Sequence, residues 1–241
     1  MMNQLKKKQK RISLVLKCVV ILSAIVGIVF SYLAGRDTFM GGSHIFMFFT
    51  IQSNIAIAVI CGIGTYLLLK EKKISKVWYI IKFVGTVSIT LTGVVFGFVL
   101  APTLGADAWN IQNTLTHLIV PVAAVMDFFV TSSVLRIEKR NVFFVVIPPL
   151  LYAIYAGIGY VNEWEFIDGV NYPYFFLNWG SAAGAFGFTD ELPFLGSAWW
   201  ILILLIFLIA VGYGYLAIAD LINKKKRTSL DQLHEERRSV R

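Results

Sequence analysis

Two stretches of this sequence carry side chains able to do chemistry in otherwise apolar surroundings. One is His44-Ile-Phe-Met-Phe-Phe-Thr50-Ile-Gln-Ser-Asn54. The other is Asn110-Ile-Gln-Asn-Thr-Leu-Thr-His117, which runs into Leu118-Ile-Val-Pro-Val-Ala-Ala-Val-Met-Asp127. A hydroxyl is a poor nucleophile alone and becomes a competent one beside a base. Histidine is the commonest such base. Asn113 and Asn110 precede His117 by four and seven residues, so the three share a helix face. Ser53 and Asn54 lie near the face of Thr50, where they or Gln52 can donate to a developing oxyanion. The same types also fit a structural role, since hydroxyls in membrane helices bond their own backbone or a neighbour.

The elements that must position these residues follow from composition. The chain is 57% hydrophobic and only 15% charged, where a soluble domain has roughly 25% charged residues. This is an integral membrane protein. Its net charge of +8 does not imply nucleic acid, because no basic stripe alternates with aromatics. Cys18 and Cys61 both fall in apolar segments, so there is no disulfide framework and no metal-ligand spacing. Neither a phosphate loop nor a dinucleotide fingerprint is present, and no cofactor or metal is implied.

Six apolar runs, about 12–34, 44–69, 77–101, 113–135, 141–161 and 197–222, each reach the roughly 20 residues that cross a bilayer as a helix. The expected fold is an all-α bundle of six transmembrane helices over 1–222, with a charged tail at 223–241. The first run is too long for a signal peptide, and Tyr32 spoils a cleavage pattern before Gly35. Basic residues gather before the first run, between the second and third, between the fourth and fifth, and after the sixth. The other connections hold Arg36 against Asp37, Asp107, Glu163, Glu165, Asp168, Asp190 and Glu191. The positive-inside rule therefore puts both termini in the cytoplasm of a multi-pass protein of the cell membrane. Lys17 and Lys82 sit near cytoplasmic helix ends, where snorkelling explains them.

At about 1.5 Å per residue, Thr50 lies about 9 Å past His44 and His117 about 6 Å past the start of the fourth run, closely similar depths. Both helices enter from the outer side, so a hydroxyl and an imidazole meet at one level. The 162–196 connection is long, with Tyr172-Pro-Tyr-Phe-Phe-Leu-Asn178 and Gly180-Ser-Ala-Ala-Gly-Ala-Phe-Gly187. It reads either as a binding loop or as an aromatic belt at the headgroups.

Lesser candidates are weaker. Ser43, after Gly41-Gly42, sits at the water boundary and lacks a following glycine. Asp127, about 15 Å deeper than His117, is placed to pair with Lys82 or with the hydroxyls of Thr86, Thr90 or Tyr152. Asp220 and Lys224 form an i, i+4 pair that needs no function. Pro148-Pro149 should break the start of the fifth helix.

Phe-Phe-Thr-x-x-Ser-Asn at 48–54, Asn-x-x-x-His-x-x-x-Pro at 113–121 and Tyr-Pro-Tyr-x-Phe-Leu at 172–177 resemble the androgen-induced family of membrane proteins. That family includes hydrolases of fatty-acid esters of hydroxy fatty acids; the bacterial six-pass branch is the better match. The resemblance implies a catalytic threonine at Thr50 and histidine at His117. Supporting or substrate-binding positions would be Asn54, Ser53, Asn113, Tyr172 and Tyr174. The expected activity is hydrolysis, or acyl transfer, of an ester in a membrane lipid or fatty-acyl substrate. The alternative is a non-enzymatic binder or transporter of a small amphiphile that uses the same polar chamber.

Overall fold

In a computed structural model, the described residues are 5–36, 42–134 and 136–239. Asp37, Gly41, Leu135 and the last two residues of the tail lie outside them. Six helices among the described residues are long and apolar enough to cross a membrane. We label them α1 (Lys7–Arg36), α2 (Phe49–Leu69), α3 (Lys76–Leu104), α4 (Ile111–Thr131), α5 (Lys139–Val161) and α6 (Ser197–Ser239). The only extended pairing among these residues is two isolated bridges in the 162–196 connection. The protein is an all-α, multi-pass membrane protein.

Half of the most apolar stretch of α3 and of α4 is buried, against 11% in α6. The two middle helices therefore form the centre and α6 the edge. One core gathers Val20, Ala24, Ile57, Cys61, Ile89, Val120 and Ala124 between α1, α2, α3 and α4. A second joins the other face of α3 to α5, α6 and the long connection through Phe83, Val87, Phe128, Val145, Phe166 and Leu208. Dispersion packing of this kind, rather than the hydrophobic effect, holds helices together in lipid.

The helix ends depart from the apolar runs for local reasons. α2 begins at Phe49 rather than near His44, because Gly42–Met47 winds as a 3₁₀ turn and Phe48 is extended. Gln52 Nε2 donates to the carbonyls of Phe46 and Met47, so a side chain takes acceptors that a continuous helix would have used. α4 stops at Thr131, where the Thr131 and Ser132 hydroxyls occupy the last carbonyls. The start of α5 is broken as its prolines require: 139–146 is 3₁₀, and the α-helix begins at Ile147. α6 continues as helix through most of the tail.

Ion pairs tie the basic connections together at one end. Lys10 bonds Glu71 at 2.9 Å, Glu138 meets both Lys76 and Arg140, and Arg136 reaches Asp220 at 3.3 Å. Asp220 thus pairs across to the α4–α5 connection, not along its own helix. If this end is cytoplasmic, a cysteine placed at Asp168 should react with an impermeant thiol reagent applied outside, and one at Lys73 should not. The reverse labelling pattern would invert the protein.

Lys17 and Lys82 do not snorkel. Both are buried, and both grip Asp127: Lys17 Nζ lies 2.5 Å from Oδ2 and Lys82 Nζ 2.6 Å from it. Ser13 Oγ adds a bond to Asp127 Oδ1 at 2.5 Å, and Thr131 Oγ1 accepts from Lys82 at 2.7 Å. Of the partners considered from sequence, Thr86 donates to the Lys82 carbonyl, Thr90 bonds Tyr215, and Tyr152 donates to the Met47 carbonyl. Gly64 makes room for the lysine stem, since a Cβ there would stand 2.8 Å from Lys17 Cε. Two cations on one anion cross-link α1, α3 and α4 deep in the bundle.

Candidate active site

The fourth helix carries the histidine on a deformity with an identifiable cause. Pro121 has no N–H, and its ring crowds the carbonyl four residues back, which is that of His117. Residues Leu115–Ile119 respond by widening to a π-turn, with Val120 N bonded to Leu115 O. Whether the ladder runs in α or in π register, position 121 offers no donor to the carbonyls of His117 or Thr116. Asn54 supplies one: its Nδ2 donates to Thr116 O at 3.2 Å as well as to Thr50 O at 2.8 Å. Main-chain groups at membrane depth need such partners. Asn54 therefore spends both donated bonds on backbone and is not an oxyanion donor. It is the brace between α2 and α4.

A second π-turn, Phe96–Leu100, stands in α3 just before Pro102. It presents Phe96 flat against the imidazole of His117, with ring centroids 3.8 Å apart and planes at 20°. Gly93 allows the close approach of α3 to α4, because a Cβ there would lie 2.8 Å from the His117 carbonyl oxygen. Single π-turns of this sort recur at functional sites.

The two predicted residues meet. Thr50 Oγ1 lies 3.2 Å from His117 Nε2. On the other side of the ring, Nδ1 lies 3.1 Å from Asn113 O and 3.0 Å from Thr116 Oγ1. A backbone carbonyl can only accept, so Nδ1 carries the proton and Nε2 presents its lone pair to the threonine. A base must have this tautomer to take a hydroxyl proton. The orienting groups are the Thr116 hydroxyl, which itself donates to the Gln112 carbonyl at 2.8 Å, and the main-chain carbonyl of Asn113. Its side chain instead donates to Ala108 O at 2.8 Å, while Asn110 Oδ1 caps the helix at Asn113 N.

Thr50 stands in the first turn of α2, where main-chain N–H groups have no partner within the helix. Its own N–H donates to the Tyr174 hydroxyl at 3.4 Å. Tyr174 is wedged by rings, edge-on to Phe48 at 5.7 Å and stacked on Phe176 at 5.1 Å. Burial pushes its phenol above the ordinary value, so it remains a proton donor through the neutral range. Ser53 turns away, bonding Thr92 Oγ1 at 2.7 Å and Thr50 O at 3.0 Å. Ser43 is exposed in the 3₁₀ turn before α2.

Beside Thr50 opens a narrow cavity of ≈ 60 Å³. Its polar groups are the hydroxyls of Thr50, Thr92, Tyr152 and Tyr174, and the rest is aliphatic or aromatic, including Leu91, Val95, Phe96 and Leu204. Tyr172 is not among the lining residues, whereas Tyr174, Phe176 and Leu177 are. The aromatic part of the 162–196 connection thus roofs the cavity with a 3₁₀ turn at Phe175–Leu177. Thr50 faces the cavity, and His117 stands behind it, 8% exposed. No family model, curated protein or solved structure matches the chain.

Sequence reasoning misses Tyr152 and Thr92 as cavity groups. There Tyr152 enters only as a partner for Asp127, and Thr92 is one hydroxyl among several in α3. The Pro121 signal is present in the Asn-x-x-x-His-x-x-x-Pro pattern, but a widened turn cannot be told from a kink without the carbonyl partners.

Proposed function

We propose that the protein is a membrane-embedded hydrolase of lipid-like esters, with Thr50 as nucleophile and His117 as its base. The observation that carries this reading is the 3.2 Å approach of Thr50 Oγ1 to an imidazole nitrogen whose opposite edge is committed to a carbonyl. The separation falls within hydrogen-bond reach, at its long end. The resemblance of the Thr50 and His117 segments to the androgen-induced hydrolases supports the same assignment.

The chemistry then runs in two halves. Thr50 Oγ1 attacks the ester carbonyl carbon while its proton passes to His117 Nε2. The carbonyl oxygen takes the electron pair and accepts from the Tyr174 hydroxyl, itself polarised by the Thr50 N–H at the head of α2. Collapse reforms the carbonyl and breaks the bond to the alcohol oxygen, which leaves with the proton from Nε2. Water next attacks the acyl-threonine, giving its proton to Nε2. The second collapse releases the acid and returns the proton to Thr50. An alcohol in place of that water would make the reaction an acyl transfer.

A second reading draws on the hydroxyls of Tyr152 and Thr92, which this scheme does not use. With Tyr152 donating to the Met47 carbonyl and Thr92 sharing a hydrogen bond with Ser53, their lone pairs suit a binder or carrier that holds an amphiphile by its polar end. Covalent labelling separates the two. A fluorophosphonate should form a stoichiometric adduct at Thr50 that peptide mass mapping locates, and His117→Ala should suppress it. Absence of any adduct at Thr50 under conditions that label a serine hydrolase in the same vesicles would favour the binder.

A further inference from the structure

The cavity beside Thr50 is closed above and slotted at the side. Above, Phe176 and Leu177 are buried, and Trp200 packs against Phe175 and Phe176 with centroids 6.1 and 5.7 Å away. At the side, Pro149 and Ala153 line it from α5, and Ile201, Leu204 and Leu205 from α6. Positions four apart stand one above the other on a helix, so Pro149 with Ala153, and Ile201 with Leu205, form the two edges of a slot. All five are half-buried. Their neighbours Leu150, Ile154, Leu202 and Ile206 are exposed on the outer face of the bundle, where a six-helix membrane protein meets lipid. The slot therefore opens sideways, and no charged side chain lines the space it leads to among the described residues.

We propose that substrate reaches Thr50 from within the bilayer, its acyl chain passing between α5 and α6, and that the substrate is a long-chain ester resident in the membrane with no charge beside its reacting carbonyl. This rests on the hydrolase reading. A chain leaving lipid for this slot exchanges one apolar environment for another, whereas access from above would have to part the aromatic roof. A charged group drawn in beside the ester would find hydroxyls but no counter-charge, and burying it so is strongly unfavourable. The cavity accordingly selects esters whose charge, if any, stays at the membrane surface.

The test uses the full chain in phosphatidylcholine vesicles containing a long-chain alkyl fluorophosphonate, and reads the rate of Thr50 labelling. Ala153→Trp fills the slot and should slow labelling by about tenfold or more, since even one methylene changes pocket discrimination by about that factor. Leu204→Trp, on the facing helix, should do the same and serves if the first variant does not fold. Val122→Trp, exposed on α4, should label at the parental rate. A folded Ala153→Trp or Leu204→Trp protein that labels as fast as the parent overturns the lateral route. Labelling that persists unchanged in Thr50→Val overturns the hydrolase reading instead.

Discussion

Replacing Thr50 by valine should abolish ester turnover, by about a thousandfold or more, while the fold persists. Valine keeps the branched shape and loses only the hydroxyl. Thr50→Ser keeps the hydroxyl and loses a methyl, so activity should largely survive. His117→Ala should be as inactive as Thr50→Val, and the double variant hardly worse, because residues acting as one unit are grossly non-additive. A purely structural bond predicts another pattern. Each single change would cost about 0.6 kcal/mol and at most a couple, as interhelical bonds in membranes do, and turnover would fall only with the folded fraction. Kinetics and thermal melting of the four variants distinguish the two. Near-normal turnover by Thr50→Val with every ester tried would remove the nucleophile assignment.

The largest effect on stability is expected at Asp127. Its side chain is 1% exposed, between lysines at 3% and 8%. Asp127→Asn preserves the shape yet strands two ammonium groups, and removing one partner of a buried ionic cluster costs about 3–5 kcal/mol. A hydrogen bond alone would be worth several-fold less in this setting. Replacing all three, as Lys17→Met, Asp127→Leu and Lys82→Met together, removes the charges with the cluster and should be neutral or stabilising by about 1–4 kcal/mol. Reversible unfolding in mixed micelles measures both. A loss of under about 1 kcal/mol for Asp127→Asn would mean that the lysines are not stranded but reach water or other acceptors. Because Asp127 lies about 15 Å along α4 from His117, the protein that remains folded should turn over ester normally.

How much of this is legible in the sequence differs by residue. The six helices are, because twenty or so apolar residues in a row permit few alternatives. Thr50 and His117 do meet, though not by the helical count from His44, since 42–48 is not α-helix and Thr50 stands in the first turn of α2. What the sequence hides is everything that depends on rotation between helices. Lys17 and Lys82, seen one helix at a time, look like snorkelling lysines. Only the relative turn of α1, α3 and α4 puts both on Asp127. Asn54 looks like an oxyanion donor as long as the orphaned Thr116 carbonyl is out of view. The start of α2 moves from His44 to Phe49, because the apolar character of Ile45, Phe46 and Met47 says nothing about which carbonyls Gln52 will capture.

The groups that orient His117 are the Thr116 hydroxyl and a peptide carbonyl, rather than an aspartate. The carbonyl is encoded by no side chain, and no substitution at Asn113 deletes it. A mutational scan of this protein would reach Thr50, His117 and Thr116 and remain blind to the carbonyl at its own position.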